Sequence, residues 1–250
     1  MKRILFTAVS LGMLAALSPA LAADLPYVKA PAAAAPVYDW TGAYVGVFGG
    51  GGFGNHNVNN SNGANAPFED FTANYSSQGG LAGGEAGYNW QSGNFIAGVE
   101  GDLFWSGIKG SDASQFANGA FAGVNGVDAD NLRWGGTLRA RGGFTVDRWL
   151  MFFTGGYAFG SIQHTNTVVG GVDRFNVQAN GLTAGGGIAY ALTDNVIGKF
   201  EYRYYNFNGY NRPGNPLTPN GQIPYTTETT YSVVTIGLDF KFGGPVVAKY

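Results

Sequence analysis

The chain has 250 residues, among them 42 glycines, 15% aromatic and 12% charged side chains, no cysteine, and a formal net charge of −2. Ordinary chains carry about 7% glycine and about 25% charged residues, so this one departs from both in opposite directions. Collagen is excluded because the glycines show no three-residue period, a solvated disordered chain because aromatics are many and charges few, disulfide and thiolate-metal scaffolds because cysteine is lacking, and the slight negative charge gives no electrostatic ground for a nucleic-acid partner.

The chain opens on Met1-Lys2-Arg3, continues through the apolar run Ile4 to Leu17, and reaches Pro19 followed by Ala20-Leu21-Ala22. A positive start, a short apolar stretch and a small-x-small site are the layout of a secretory signal peptide, and the run is shorter than the roughly 20 residues of a membrane helix. Residues 1–22 are therefore expected to be the signal peptide, cut between Ala22 and Ala23. Residues 23–39, where Pro26, Pro31 and Pro36 punctuate alanines, read as an Ala/Pro-rich tether.

Eight runs with period-two patterning follow: Thr41–Gly54, Ser76–Trp90, Phe95–Ser106, Asn131–Val146, Trp149–Gly160, Asn176–Thr193, Val196–Phe207 and Thr227–Phe242. Such alternation marks strands. The connections alternate strictly in length. Gln91–Asn94, Asp147–Arg148 and Asp194–Asn195 are short polar hairpin turns, whereas Asn55–Tyr75, Gly107–Asp130, Ile162–Phe175 and Asn208–Thr226 are long and polar. Short turns at one end and long loops at the other predict an all-β fold, an eight-stranded antiparallel transmembrane β-barrel with short periplasmic turns and long extracellular loops. The barrel is expected over residues 40–242, with a tail at 243–250.

Charges orient the strands, because a charged side chain turned to lipid near the midplane costs roughly 2–4 kcal/mol. The second run places Glu85 inward and Ala86, Tyr88 and Trp90 outward. The third places Glu100 and Asp102 inward, with Val99, Leu103 and Trp105 outward. The fourth turns Arg133, Arg139 and Arg141 inward against Leu132, Trp134, Leu138 and Ala140. The seventh turns Lys199, Glu201 and Arg203 inward against Phe200, Tyr202 and Tyr204, and the eighth Asp239 and Lys241 against Ile236, Leu238, Phe240 and Phe242. The fifth, Leu150-Met151-Phe152-Phe153, is apolar on both faces and gives no orientation.

The inward set nearly balances acids (Glu85, Glu100, Asp102, Glu201, Asp239) with bases (Arg133, Arg139, Arg141, Lys199, Arg203, Lys241). An eight-stranded barrel is just wide enough for side chains to fill it, and buried charges must be paired. The expectation is a salt-bridged plug rather than a channel lined by one sign of charge, with inward Gly46, Gly83, Gly98, Gly135 and Gly237 making room for the long side chains. Trp40, Trp90, Trp105, Trp134 and Trp149 all fall at ends of the predicted strands, as interfacial girdles require.

Several segments carry a resemblance. Thr41-Gly-Ala-Tyr-Val-Gly46 after a tryptophan, Leu138-Arg-Ala-Arg-Gly142, Thr154-Gly-Gly-Tyr-Ala-Phe-Gly160, Ala189-Tyr-Ala-Leu-Thr-Asp-Asn195 and Glu201-Tyr-Arg-Tyr204 resemble the small porin-like outer-membrane barrels of the outer-membrane immunogenic protein family. The ending Gly237-Leu-Asp-Phe-Lys-Phe242 is similar to the C-terminal signal read by the barrel-assembly machinery, with Gly237, Phe240 and Phe242 as its marks. Eight residues, 243–250, follow Phe242, so Tyr250 is the other candidate for the terminal aromatic. The resemblance spans the mature chain. It implies an outer-membrane location in a Gram-negative bacterium with both termini periplasmic, surface exposure and antigenicity. The implied partners are outer-membrane lipids, the assembly machinery and host or environmental ligands at the loops. Some members of the family are implicated in haemin binding and others in envelope integrity.

Catalytic and ligand chemistry is thin. The histidines, His56 and His164, lie in or beside long loops, where solvated side chains are the plain expectation. Ser161 stands three residues from His164, and a triad would draw its carboxylate from Asp173. Haem ligation would need an exposed His or Tyr from among His56, His164, Tyr210, Tyr225 and Tyr231. Gly49-Gly-Gly-Gly52 lacks the lysine and helix of a phosphate cradle. The expectation is a non-enzymatic envelope protein with no cofactor and no metal. A narrow porin or haemin-binding receptor is the alternative, and a lipid-modifying enzyme stands behind that.

Overall fold

The computed structural model describes residues 38–60, 71–115, 125–168, 171–212 and 225–243. The expected signal peptide with its Ala22–Ala23 junction, the tether before residue 38 and the tail beyond residue 243, including Tyr250, lie outside them. The described residues form β1 (Gly42–Asn60), β2 (Phe71–Ser92), β3 (Phe95–Gln115), β4 (Asn125–Val146), β5 (Trp149–Val168), β6 (Gly171–Ala191), β7 (Val196–Arg212) and β8 (Tyr225–Lys241). Each strand pairs antiparallel with its sequence neighbours. β1 also pairs with β8, from Tyr44 opposite Lys241 to Asn59 opposite Thr226, and closes the barrel. Closure leaves no unpaired edge, the condition for crossing lipid with strands.

Three tight connections join the strands at one end. Asp147 turns the β4–β5 corner with φ of 51°, and Gly93 turns the β2–β3 corner at 60°. Left-handed values suit hairpin turns, and Asp and Gly are among the residues that tolerate them.

Outward side chains form an apolar band. On β3 it runs from Phe95 through Val99 and Leu103 to Trp105, each exposed. Those 11 residues match the roughly 9–11 that a tilted strand needs to cross the hydrocarbon. The fifth strand, ambiguous from its sequence, buries Leu150, Phe152 and Thr154 and exposes Met151, Phe153 and Tyr157.

The strands outrun the hydrophobic pattern. β1 continues to Asn60, β3 to Gln115 and β5 to Val168, and β4 begins at Asn125, so much of each predicted loop is barrel wall. In this extension the outer face is polar, with Asn55, Gln78, Lys109, Asn176, Gln178 and Asn206 exposed. The inner face still buries Ile108, Leu132, Ile162, Phe207 and Tyr231. Ladder hydrogen bonds and a packed interior hold a wall together without lipid outside it, and period-two hydrophobicity fades where the outer positions turn polar.

Two expectations fail here. Arg133 is exposed and Leu132 is 2% exposed, the reverse of the predicted faces. The pairing shifts register between Leu132 and Trp134 on the β4–β5 ladder, and between Trp105 and Ile108 on the β3–β4 ladder. A β-bulge inserts a residue and re-aims its side chain, so Arg133 and Trp134 point outward in succession. The tryptophans also divide. Trp90 and Trp149 stand on the outer surface by the short turns, while Trp105 and Trp134 face each other across β3 and β4 near mid-strand. Trp40, expected in the girdle, is 1% exposed and packs with Tyr38, Ile96, Leu150, Phe152 and Ile197. It precedes β1, so no strand alternation turns it toward lipid.

Leu138 is 66% exposed within the outward band. Leu138→Arg is expected to destabilise the folded barrel by about 2–4 kcal/mol, measured as a lowered urea midpoint in lipid vesicles.

Candidate functional site

The lumen is layered. At the short-turn end, Trp40, Tyr38, Ile96, Leu150, Phe152, Ala189, Ala191 and Ile197 form an apolar floor. The segment before β1 is held there by several bonds. Trp40 N donates to Gln91 Oε1 at 2.7 Å, the Tyr38 hydroxyl donates to the Asp194 carbonyl at 3.2 Å, and Lys241 Nζ donates to the Asp39 carbonyl. Lys241 also sits 4.5 Å from the Tyr38 ring centroid. Burial, helped by Asp194, pushes the Tyr38 phenol up to about 12, so it remains a donor. At the other end Phe48, Leu81, Phe104, Ile108, Leu132, Ile162, Tyr205, Phe207, Tyr231 and Val233 form an apolar roof.

Between floor and roof stand Glu85, Glu100, Asp102, Arg139, Arg141, Lys199, Glu201, Arg203 and Asp239, each at most 5% exposed. Arg139 is the hub. Its Nη2 meets Glu100 Oε1 and lies 3.1 Å from Asp102 Oδ2, while its Nη1 is 2.5 Å from Glu201 Oε1 and 3.1 Å from Thr154 Oγ1. Arg203 bridges Asp102 at 2.9 Å and Glu201 at 3.1 Å, with its guanidinium 4.9 Å from the Phe48 ring centroid. Arg141 lies 3.4 Å from Glu100 Oε2, donates to the Tyr44 hydroxyl at 3.1 Å and stacks 3.9 Å over Phe152. Tyr44 in turn donates to Glu100 at 2.6 Å, and Thr137 to Asp102 at 2.5 Å.

Glu85, Glu100 and Glu201 each bring an oxygen within 4.8 Å of the others, a spacing that suits a cation. Lys199 Nζ fills that place, at 2.5 Å from Glu85, 3.3 Å from Glu100 and 3.8 Å from Glu201. The ammonium is a built-in counter-ion.

Backbone register makes the room. Opposite Arg139 stands Gly156, opposite Arg141 Gly98, opposite Arg203 Gly185, opposite Glu201 Gly187 and opposite Lys199 Gly237. Gly46 pairs with both Glu85 and Asp239, and a Cβ there would collide with Asp239 Oδ1. The missing side chain at Gly46 leaves the space that the Asp239 carboxylate occupies. The predicted inward bases divide three ways. Arg139, Arg141, Lys199 and Arg203 meet the acids, Lys241 faces inward but belongs to the floor, and Arg133 stands outside.

Above the roof lies a second polar group that the sequence did not announce. His164 Nδ1 is 2.6 Å from Asp130 Oδ1, and His56 Nδ1 is 3.3 Å from Asp130 Oδ2. The Tyr75 hydroxyl donates to the same carboxylate, and His56 Nε2 lies 3.0 Å from Ser77 Oγ. His56, Asp130 and His164 are each 1% exposed, which corrects the expectation of solvated loop histidines. The signal was available: His56 continues the even-numbered inward positions of β1 that include Tyr44, Phe48 and Gly52. Of the other weighed residues, Ser161 is buried in the wall and Tyr231 is 1% exposed, while the side chains of Asp173, Tyr210 and Tyr225 lie outside the described ones.

The family model for the outer membrane protein beta-barrel domain matches residues 11–242. The chain belongs to this family and is an outer-membrane protein. It is 31% identical over 245 residues to the 31 kDa outer-membrane immunogenic protein of Brucella melitensis, covering 89% of this chain and 93% of the relative. The 25 kDa outer-membrane immunogenic protein of Brucella canis is 34% identical over 207 residues, covering 81% and 84%. Among solved structures, the outer membrane protein OprG of Pseudomonas aeruginosa matches at 12% identity over 84% of this chain and all of that one, with a TM-score of 0.46. For an outer-membrane barrel, the exposed apolar band is the lipid-facing surface and the buried charges occupy the lumen.

Removing Arg139 would leave Glu100, Asp102 and Glu201 short of a buried partner. Arg139→Met is expected to cost about 3–5 kcal/mol, read as reduced unfolding free energy in lipid vesicles, with Arg139→Lys falling between it and the native barrel.

Proposed function

We propose that this member of the outer-membrane β-barrel family is a non-conducting, non-enzymatic structural barrel whose long-loop end forms a surface for contact outside the cell. The observation that carries the reading is the ion-paired layer sealed between an apolar floor and an apolar roof. Such a stack fills the lumen with side chains bonded to one another, and an ion entering it would have to displace Lys199 or Arg139 from buried carboxylates. The same layer gives the thin wall a rigid interior, which suits an envelope role.

Signal-peptide export at residues 1–22, both termini in the periplasm, and recognition of Phe240 and Phe242 by the assembly machinery complete the proposal. Phe240 and Phe242 are half-exposed on the outer face, with ring centroids 5.4 Å apart, and are accessible to a receptor at the end of β8.

An acyl-transfer reading has one geometric hint, since Ser77, His56 and Asp130 follow one another in the order of a hydrolase triad. Ser77 is 2% exposed, however, and a Cβ on Gly54 would approach its Oγ to 2.7 Å. His56 is stacked on Tyr75 with centroids 4.7 Å apart. That packing suits a polar clamp that ties β1, β2, β4 and β5 together above the membrane.

Purified protein in planar bilayers is expected to give no stepwise conductance; stable openings from the native chain would overturn the plugged lumen. Orientation is read separately. A single cysteine placed at Ser92, beside a short turn, should resist a membrane-impermeant thiol reagent on intact cells and react after permeabilisation.

A further inference from the structure

The charges of the luminal layer do not balance. Five acids, Glu85, Glu100, Asp102, Glu201 and Asp239, stand against four bases, Arg139, Arg141, Lys199 and Arg203. Lys241 does not make up the difference, because its ammonium is turned to the Asp39 carbonyl at the floor. Four of the acids are ion-paired. Lys199 meets Glu85, Glu100 and Glu201, and the guanidinium groups of Arg139 and Arg203 both meet Asp102 and Glu201. Asp239 is the fifth. It is 3% exposed, and among the described residues no basic nitrogen lies within 4.0 Å of its carboxylate.

Glu85 reaches toward it from β2. The two residues lie opposite Gly46 from either side of β1, and Asp239 Oδ1 fills the space that a Cβ there would take. Glu85 extends across the same strand, bringing Oε1 to 3.7 Å from where a Cβ on Gly237 of β8 would stand. Asp239 Oδ1 and Glu85 Oε2 are both buried without a hydrogen-bond partner. The other groups that face Asp239 are already engaged. Glu100 of β3 carries the same sign, Lys199 of β7 is shared among three other acids, and Arg141 of β4 is turned to Glu100. Tyr44 of β1 donates to Glu100 as well. A carboxylate shut away from water without a cation neutralises by taking up a proton, and neighbouring carboxyl groups relieve their repulsion by sharing one. A proton needs no cavity, whereas a metal cation needs several oxygens arranged around it.

We propose that Asp239 is a proton-binding site, a neutral carboxylic acid in the folded barrel whose hydroxyl donates to the Glu85 carboxylate and supplies the fifth positive charge of the layer. The proton comes from water as the barrel closes, and the bond formed is the O–H on Asp239 Oδ1. One added hydrogen then gives a partner to two buried oxygens and brings the layer to neutrality. It also joins β8 to β2 across the glycine of β1, beside the seam that closes the sheet. The inference rests on the sealed lumen proposed above. Conductance tests the seal and the state of Asp239 tests the proton, so the two fail separately.

The test uses the full-length barrel folded in lipid vesicles at neutral pH, with the infrared carbonyl stretch of a protonated carboxyl group as the readout. The native barrel should show that band. Asp239→Asn, which keeps the size and a donor but cannot ionise, should lack it. Carbon-13 labelling of the aspartates should shift the band of the native chain, a test that needs no variant to fold. Urea unfolding gives an independent measure. An unfolded aspartate loses its proton near pH 4, so between about pH 5 and about pH 7 folding takes up a proton at this site in the native chain and none in the variant. Stability carried by such a group is lost as pH rises. The folding constant of the native chain should therefore fall about tenfold per pH unit relative to that of Asp239→Asn. The proposal is overturned if the native barrel has no such band, if the band does not shift with labelled aspartate, or if it survives Asp239→Asn. A native-to-variant ratio that stays flat with pH overturns it too. So does an unfolding midpoint that rises with sodium but not with choline, which would put a metal cation in the proton's place.

Discussion

Removing a charged group from water costs several kcal/mol even after the protein relaxes around it, and this barrel holds nine such groups in one layer of its lumen. The cost is offset only if each charge meets opposite charges and hydrogen-bond partners at close range. Arg139 does so by contacting Glu100, Asp102 and Glu201 at once, joining side chains from β3, β4 and β7. Much else follows from that requirement. Long side chains must cross the interior, so glycine stands opposite Arg139, Arg141, Lys199, Glu201 and Arg203 on a neighbouring strand. Water must be kept from competing, so apolar layers close the lumen on both sides of the network. The unusual glycine content and the small number of charges are two aspects of one packing solution.

The membrane and the lumen impose different rules on the same strand. Outside, polarity is penalised over the band from Phe95 to Trp105 and permitted beyond it. Inside, burial continues through the whole height of the wall. The extension beyond the tryptophans is thus a barrel of the soluble kind, with a polar exterior and a packed interior. The cluster of His56, Tyr75, Ser77, Asp130 and His164 serves as its cross-brace.

Fold and faces were legible in the sequence wherever a large energy enforced them. Lipid strongly penalises charge, so Glu100, Asp102, Lys199 and Arg203 could be turned inward from alternation alone, and the lengths of the connections gave the up-and-down order of strands. Where the energetic contrast was small, the pattern said less. Asn, Ser and Gly beyond Gly54 look like a loop, although their register continues the strand. A bulge leaves no compositional mark, so counting by twos through Leu132 and Arg133 put both on the wrong face. Trp40 was misplaced because a tryptophan at a strand end fits an interfacial belt and a plug equally well. The pairing of His164 with Asp130 joins residues 34 positions apart on β5 and β4 and could not be read from proximity in the chain.

The bond between Lys241 and the Asp39 carbonyl joins residues 202 positions apart. Lys241 is the last residue of β8, and Asp39 lies just before β1, so the contact spans the seam where the sheet meets itself. It can form only after the final strand has found the first, and it brings Tyr38 and Trp40 to the underside of a finished lumen. The segment ahead of β1 thus acts as a latch on a completed ring. The residues flanking the first and last strands thereby hold each other at the floor of the lumen, across the seam that closes the sheet.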